Sequence, residues 1–382
     1  MRYPASKLPQ VGTTIFSQMS QLAAEHQAVN LSQGFPDFDG PQALRERVGW
    51  HIAQGANQYA PMSGMPQLRQ AIAAKTARCY GAKVCAEQEV TVTCGATEAL
   101  FAAISAVVSS GDEVIMFDPS YDSYEPAIVL NGGKAVRLPL LGPDFCIDWT
   151  ALAGAINPRT RMIIVNTPHN PTGTVLNADD LNRLAALVRD TDILLLGDEV
   201  YEHIVFDGQP HQSLLRHPEL AERAFVVSSF GKTFHTTGWK IGYCIAPAPL
   251  TAELRKVHQY LTFSISTPMQ LALADYLNDE PNHDQQLPAF YQQKRDLFNQ
   301  LLAGSRFRFT PCAGTYFQVV DYSEISDLAD VEFSHWLTTH AGVAAIPLSP
   351  FSAAPVDTRL IRLCFAKNSE TLTQAAELLC KI

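Results

Sequence analysis

A lysine, an aspartate and an arginine are the residues whose types and positions in this chain could do chemistry. Lys232 follows an apolar run and a small-residue turn at residues 228–231, where an amine can project into a cleft, although a lone lysine is also common on protein surfaces. Asp198 ends another apolar run, where it could bind a ligand or a loop N–H group. Arg362 lies inside the apolar run 360–365, and a buried arginine needs an anionic partner, either a ligand or a protein carboxylate.

Three other side chains stand just past predicted strand ends. Tyr121 follows Pro119, which cannot continue a central strand because it has no N–H group. Asn170 precedes a proline, and Tyr201 comes shortly after Asp198. Each also has an ordinary interpretation, since asparagine before proline is common in turns and tyrosine is common in cores and at their rims.

Two nucleotide-binding motifs can be excluded. Gly231-Lys232-Thr233 looks like the end of a Walker A motif, but that motif needs an earlier glycine at the position of Val226. No G-x-G-x-x-G follows a predicted strand, which removes the main support for a nicotinamide-dependent dehydrogenase. The histidines and cysteines show no metal-ligand spacing, so we expect no metal.

The elements that must position these residues alternate between strand and helix. Apolar runs of strand length occur at residues 113–117, 161–165, 193–196 and 224–227. Helical patterns lie between them, which predicts an α/β fold with a mainly parallel sheet covered by helices. Ligands bind outside the carboxyl ends of the strands in such sheets, so we expect the candidate residues to meet there.

Helix start signals support this alternation. Asn177 and Asp180 form a capping-box pattern for a helix through Val188. After the predicted strand end at residues 91–93, Gly95 makes a turn and Thr97 is the expected N-cap of the next helix. The sequence thus places a helix N-terminus beside a strand end.

The pattern changes near residue 280, where residues 279–284 are polar. A helix, a strand at 315–320, a helix at 331–339 and a strand at 360–365 follow, which predicts a smaller α+β domain. We therefore predict a large domain at residues 36–280 and a small domain made of residues 1–35 and 281–382.

Composition limits the function classes. The chain has 382 residues, 47% of them hydrophobic and 17% charged, as in a globular enzyme. A formal net charge of −10 without a basic run argues against nucleic-acid binding. No apolar stretch is long enough for an export signal or a membrane span, and the eight scattered cysteines suit a reducing compartment, so we expect a cytoplasmic protein.

Taken together, the motifs resemble those of fold-type I pyridoxal-phosphate enzymes, and in order and spacing the chain resembles the class I aminotransferases. The nearest group contains the bacterial methionine aminotransferases, kynurenine aminotransferase and glutamine transaminase K. The matching segments are residues 30–38, 57–61, 95–99, 166–173, 197–201, 229–233, 237–242 and 361–365. They span nearly the whole chain, with no functional position broken.

This resemblance implies roles for the candidate residues around pyridoxal 5′-phosphate. Lys232 would hold the cofactor covalently and move a proton at the substrate's Cα. Asp198 would pair with the pyridine nitrogen and keep it protonated. Asn170 and Tyr201 would hydrogen-bond the phenolic oxygen of the ring, and Tyr121 would stack on its face. The catalytic residues implied are thus Lys232, Asp198 and Tyr201.

The resemblance also implies how the phosphate and the substrate are held. The residues expected at the phosphate are Gly95, Ala96, Thr97, Ser229 and Lys240, joined by Tyr59 from the neighbouring subunit of a homodimer. Arg362 would bind the substrate carboxylate as a planar bidentate fork. The other residues expected to contact the substrate are Phe16, Gly34, Tyr59, Asn170 and Phe263.

No second arginine matches a side-chain carboxylate site, and aromatic residues match the pocket instead. We therefore expect amino-acid and 2-oxo-acid substrates, with methionine first and phenylalanine, tyrosine, histidine, leucine or glutamine also accepted. A cysteine-conjugate carbon–sulfur β-lyase would have the same cofactor half-site and is the alternative enzyme. A non-enzymatic sensor fused to a DNA-binding domain is disfavoured, because no helix-turn-helix or basic segment precedes the domain.

Overall fold

The computed structural model describes residues 3–354 and 357–382 of the chain. Its strands are β1 Val29–Asn30, β2 Val90–Thr93, β3 Glu113–Asp118, β4 Lys134–Pro139, β5 Thr160–Asn166, β6 Leu194–Asp198, β7 Ala224–Ser229, β8 Gly242–Ile245, β9 Phe317–Asp321, β10 Val343–Ala344, β11 Ile346–Pro347 and β12 Leu360–Cys364. Its α-helices are α1 Ile15–Glu25, α2 Gln42–Ala53, α3 Pro66–Tyr80, α4 Gly95–Val107, α5 Tyr124–Leu130, α6 Trp149–Ala155, α7 Ala178–Val188, α8 Pro218–Ala221, α9 Phe230–Thr233, α10 Ala248–Leu261, α11 Thr267–Asp279, α12 His283–Leu302, α13 Asp330–Trp336 and α14 Ser369–Leu379.

Seven of these strands form one sheet in the order β2-β8-β7-β6-β5-β3-β4. Strands β7, β6, β5, β3 and β4 run parallel, whereas β8 is antiparallel to both of its neighbours. The prediction of a mainly parallel α/β sheet is confirmed. The register pairs Asn166 with Asp198 and Asp198 with Val227, so the carboxyl ends of β5, β6 and β7 lie side by side.

Both faces of this sheet are covered, because successive strand residues point to opposite sides. On β3, Ile115 and Phe117 belong to one buried cluster, while Val114 and Met116 belong to another. The second cluster includes apolar residues of α4, and the first includes those of α7. Near-continuous apolar strands of this kind are typical of a parallel sheet between two layers of helices.

Helix starts agree with the sequence in one case and differ in another. The capping box of α7 forms as predicted, with Asn177 accepting from the N–H group of Asp180. The prediction that Thr97 caps α4 is wrong, because α4 already begins at Gly95 and Thr97 lies in its first turn. The Glu98 carboxylate instead accepts from the Cys94 N–H group at 3.1 Å, which gives this N–H group a hydrogen-bond partner just before the helix.

A third apolar cluster surrounds the small sheet β11-β12-β9 and contains side chains of α12 and α14. Strand β9 begins later than the predicted run at 315–320, because Thr315 has a φ of 65° that a strand cannot contain. The helix predicted at 331–339 ends at Trp336 and continues as a π-helical turn, Leu337–Ala341. The division into domains at residues 35 and 280 stays a prediction, and this third cluster also contains Tyr201, Ile204 and Phe206 of the predicted large domain.

Within the described ranges, no helix has both the length and the apolar character needed to cross a membrane. Over the same residues, no group of three or more histidine, cysteine or acidic side chains is arranged to hold a metal ion.

Candidate active site

A cavity of about 160 Å³ lies at the carboxyl ends of β5, β6 and β7 and faces the N-terminus of α4. Its lining residues are Gly95, Ala96, Thr97, Leu100, Tyr121, Asn166, Asn170, Asp198, Val200, Tyr201, Ser229, Lys232, Thr237 and Lys240. All the residues predicted to bind the cofactor, with the exception of Tyr59, therefore line one cavity.

Lys232 lies on the single helical turn α9, which begins at Phe230, directly after the last residue of β7, Ser229. Its Nζ donates to the Gly34 carbonyl at 3.0 Å and to the Tyr316 hydroxyl at 2.8 Å. Burial lowers the pKa of Lys232 from the usual 10.5 to about 8. About a tenth of this amine is therefore neutral, and so nucleophilic, at pH 7, which is far more than for an ordinary lysine.

Asp198 ends β6 and is only 3% exposed. The hydroxyl of Tyr124 donates to its Oδ2 at 2.6 Å, and the N–H group of Val200 approaches its Oδ1 at 3.4 Å. Burial raises the pKa of Asp198 to about 6, while these two donors oppose that rise. Asp198 is thus a buried carboxylate whose Oδ1 retains capacity for a cationic donor.

The opposite end of the cavity is shaped for a compact anion. Gly95 has a φ of 69°, and a Cβ placed there would lie 3.3 Å from the Lys240 Nζ. A Cβ at Gly242 would lie 2.8 Å from the Ala96 nitrogen. The absence of these side chains lets an anion approach the free N–H groups of the first turn of α4, where the helix dipole is also favourable.

Arg362 is buried on β12 without a charged partner. Its side chain is 1% exposed, and the guanidinium carbon lies 3.8 Å from the Phe317 ring centroid. Nη1 donates to Asn170 Oδ1 at 2.7 Å, and Nη2 donates to the Ser32 carbonyl at 3.0 Å. Its Nε has no hydrogen-bond partner, and the described residues offer it no ion pair. The alternative of a salt bridge to a protein carboxylate is therefore not realised, and the guanidinium is free to bind an anionic ligand.

The residues predicted to contact the substrate separate into two groups. The ring of Phe16 lies 5.3 Å from the Arg362 guanidinium carbon, and the Gly34 carbonyl accepts from Lys232, so these residues belong to the site. Tyr59 and Phe263 do not line the cavity of their own chain. They are 84% and 41% exposed and pack on each other with ring centroids 5.3 Å apart. The contact of Phe263 with the substrate therefore stays a prediction.

Sequence reasoning missed two hydroxyls at the site. Tyr124 contacts Asp198, and Tyr316 contacts Lys232 and also donates to the Gly34 carbonyl at 2.5 Å. Tyr316 precedes an apolar strand and Tyr124 lies in a polar stretch, and in neither place does a tyrosine by itself indicate chemistry. The spacing of Tyr124 after Tyr121 is the one signal that could have pointed to a residue on the same side of the loop.

A buried ion pair lies behind the cavity. Lys75 Nζ donates to Glu202 Oε1 at 2.6 Å and to the Tyr243 hydroxyl at 2.6 Å, and Glu202 also accepts from Tyr80 and Ser228. Lys75 and Glu202 are 4% and 5% exposed. Because Glu202 follows Tyr201 and Ser228 precedes Ser229 in the sequence, this network joins two segments that line the cavity to α3.

Comparisons with known proteins agree with this geometry. The family model "Aminotransferase class I and II" matches residues 26–379. The methionine aminotransferase of Escherichia coli K12 is 61% identical over 98% of this chain and 97% of its own length. A probable N-succinyldiaminopimelate aminotransferase of Mycobacterium tuberculosis is 40% identical over 97% and 96%, and human kynurenine–oxoglutarate transaminase 3 is 33% identical over 98% and 89%.

The similarity extends to three dimensions. The crystal structure of an Escherichia coli protein with an identified methionine aminotransferase function superposes with a TM-score of 0.98, at 60% identity and with both chains fully covered. The chain belongs to the class I and II aminotransferase family, within the fold-type I enzymes. It is a pyridoxal-phosphate-dependent aminotransferase that acts on amino acids and 2-oxo acids. The predicted resemblance, fold class, enzyme class and cofactor are confirmed.

The cavity fits this cofactor. Its aldehyde requires an amine of lowered pKa, which Lys232 provides. Its pyridine nitrogen requires a buried carboxylate, Asp198, and its phosphate requires the anion donors at the N-terminus of α4.

Proposed function

We propose that this aminotransferase takes its amino group preferentially from methionine, passes it to a 2-oxo acid by a ping-pong mechanism, and works as a homodimer. The buried, unpaired guanidinium of Arg362 next to the Lys232 cavity is the observation that carries the proposal, since it provides a site for an α-carboxylate. The 61% identity to a methionine aminotransferase supports the choice of amino donor.

The proposed reaction uses a small number of groups. Bound pyridoxal phosphate supplies an electron sink for the bond that breaks at the substrate's Cα. Lys232 would hold the cofactor through its amine, would be displaced by the amine of the substrate, and would then carry the proton removed from Cα. Its lowered pKa suits both tasks, because the free amine can accept a proton and return it near neutral pH.

The remaining residues orient the ring and its phosphate. Asp198 would pair with the pyridine nitrogen, and its burial would strengthen that ion pair because water would not screen it. Asn170 and Tyr201 would donate to the phenolic oxygen, and Tyr121 would stack on the ring. The N–H groups and side chains that would hold the phosphate are those of Gly95, Ala96, Thr97, Ser229 and Lys240.

Arg362 binds the α-carboxylate and thereby fixes which face of Cα meets Lys232. Asn170 accepts a hydrogen bond from Arg362, so its side chain orients the guanidinium as well as contacting the cofactor. The Phe16 ring lies over the same guanidinium and covers it from solvent. A charge-assisted, two-point contact of this kind is selective for a planar carboxylate.

A groove of about 450 Å³ that shares Tyr121 with the cavity supports a neutral substrate side chain. Phe351 and residues 8–15 of the N-terminal segment form much of its wall. Its basic side chains are Lys7, which is exposed, and Arg137, which is paired with Asp118 and Glu125 at 2.7 and 2.5 Å. A second substrate carboxylate would therefore meet a partly buried arginine, Arg137, that two protein carboxylates already neutralise.

Steady-state kinetics with methionine, phenylalanine and aspartate, each with the same 2-oxo acid, test the substrate. We expect methionine to have the highest kcat/KM and aspartate to be at least about a hundredfold poorer, since a buried carboxylate without a partner costs roughly 3 kcal/mol. N-succinyldiaminopimelate belongs in the panel because a 40% identical relative carries that activity in its name. A kcat/KM for aspartate or the succinylated donor at or above that for methionine would overturn the proposed substrate.

A further inference from the structure

Tyr124 is a buried tyrosine whose hydroxyl meets the carboxylate of Asp198. It is 2% exposed and is the first residue of α5, which follows β3 after a short loop. The loop carries Tyr121, and the rings of Tyr121 and Tyr124 pack edge to face with centroids 5.7 Å apart. One segment therefore presents a ring to the cavity and a hydroxyl to the end of β6.

The two oxygens of Asp198 have unequal partners. Oδ2 accepts a short hydrogen bond of 2.6 Å from Tyr124, whereas Oδ1 has only the 3.4 Å contact with the Val200 N–H group. Burial, followed by the nearby Asp198 charge, raises the pKa of Tyr124 well above its usual 10, so its phenol stays protonated and acts as the donor. Oδ2 is thus committed, and Oδ1 is the oxygen left for another donor.

We propose that Tyr124 is a positioning residue for transamination, which holds Asp198 through Oδ2 so that Oδ1 faces the pyridine nitrogen of the cofactor. This inference rests on the proposed role of Asp198. The carboxylate is a terminal group that can rotate about its χ2 angle, and that angle is broad for aspartate. A short hydrogen bond to one oxygen restricts this rotation, and a charge-assisted bond is stronger than a neutral one.

A double-mutant cycle with Tyr124→Phe and Asp198→Asn in the holoenzyme isolates this effect. Phenylalanine keeps the ring and its packing on Tyr121 and removes only the donor. We expect Tyr124→Phe to lower kcat about tenfold, which is the size of a lost hydrogen bond to a charged group, and to leave KM for methionine within about twofold. The variant should also lose pyridoxal phosphate about tenfold faster during ultrafiltration. In the Asp198→Asn background, the same change should alter kcat and the release rate less than about threefold.

Tyr322→Phe is the matched control. Tyr322 is equally buried, and its hydroxyl donates at 2.8 Å to the Leu328 carbonyl in the small-sheet region, so the variant loses a hydrogen bond away from the cavity. It should unfold at a temperature close to that of Tyr124→Phe while retaining wild-type kcat and cofactor release.

Every outcome of the cycle bears on the inference. Wild-type behaviour of Tyr124→Phe would overturn it, and so would an equal loss in both Asp198 backgrounds, because Tyr124 would then act independently of that carboxylate. In both cases a large loss in Asp198→Asn alone would leave the proposed function intact. Near-normal kcat and cofactor retention in Asp198→Asn would instead remove the role of Asp198, and the inference with it.

Discussion

Burial shifts the pKa values of the two central ionisable residues toward each other. Desolvation lowers the pKa of Lys232 to about 8 and raises that of Asp198 to about 6, because it disfavours the charged form of each group. Sequence reasoning singled out these residues and Arg362 by their positions after or inside apolar runs, and the resemblance to the aminotransferases implied their roles. It did not find Tyr124 or Tyr316, since the reach of a hydroxyl depends on distances that only the folded chain defines.

The lowered pKa of Lys232 leads to a prediction for the cofactor-free protein. Only a neutral amine reacts with an amine-specific reagent, so labelling of Lys232 should rise with pH and reach half its maximum near pH 8. An ordinary lysine would reach that point near 10.5. Peptide-resolved mass spectrometry across a pH series measures this midpoint. A value at or above 10 for Lys232 would show that the amine is not desolvated in the way the structure indicates.

At the scale of elements, strand register brings the site together. The parallel sheet and its strand ends were predicted from short apolar runs, and the capping box of α7 was predicted from Asn177 and Asp180. The first residue of α4 was not predicted correctly, because the positive φ of Gly95 lets the helix begin two residues before Thr97. Local residue preferences indicate that a helix follows, whereas its first residue depends on contacts with Lys240 and β8.

The buried network of Lys75 and Glu202 should be the strongest polar link between α3 and the sheet. Glu202 keeps a lowered pKa despite its burial because Lys75 is next to it, so removing the lysine leaves an unpaired buried charge. We expect Lys75→Met to lower the free energy of unfolding by about 3–5 kcal/mol in urea denaturation followed by circular dichroism.

Arg189→Met is the control for this prediction. Arg189 and Glu219 form an ion pair at 2.8 Å with side chains 56% and 48% exposed, so water already screens it. This variant should denature at nearly the same urea concentration as the wild type. Equal midpoints for Lys75→Met and Arg189→Met would mean that the buried network adds nothing to stability.

At the scale of the whole molecule, exposed aromatic side chains suggest how two chains associate. Tyr59, Phe263 and Tyr260 are 84%, 41% and 91% exposed, and the first two pack on each other. The resemblance predicted a role across subunits for Tyr59 only, because no pattern within one chain specifies the contacts that a second copy would make with these side chains. The proposed homodimer would bury them and bring Tyr59 to the neighbouring phosphate site.

Sedimentation equilibrium measures this association. We expect the wild type to have twice the mass of the chain and Tyr260→Asp to shift toward the monomer, because a charge would be buried at the interface. Tyr3→Asp is the control, since Tyr3 is 86% exposed near the N-terminus and is not one of the three exposed aromatic residues Tyr59, Tyr260 and Phe263. A fully active wild-type monomer would contradict the homodimer.

The covalent attachment of the cofactor to Lys232 is the central claim of this account. Borohydride reduction of the holoenzyme, followed by peptide mass spectrometry, tests it most directly, because reduction fixes the cofactor to the amine that holds it. Lys240 lines the same cavity and is the internal comparison. We predict the adduct on Lys232 alone, and a Lys232→Ala variant that still binds pyridoxal phosphate without turnover. An adduct on Lys240 or any other lysine would contradict it.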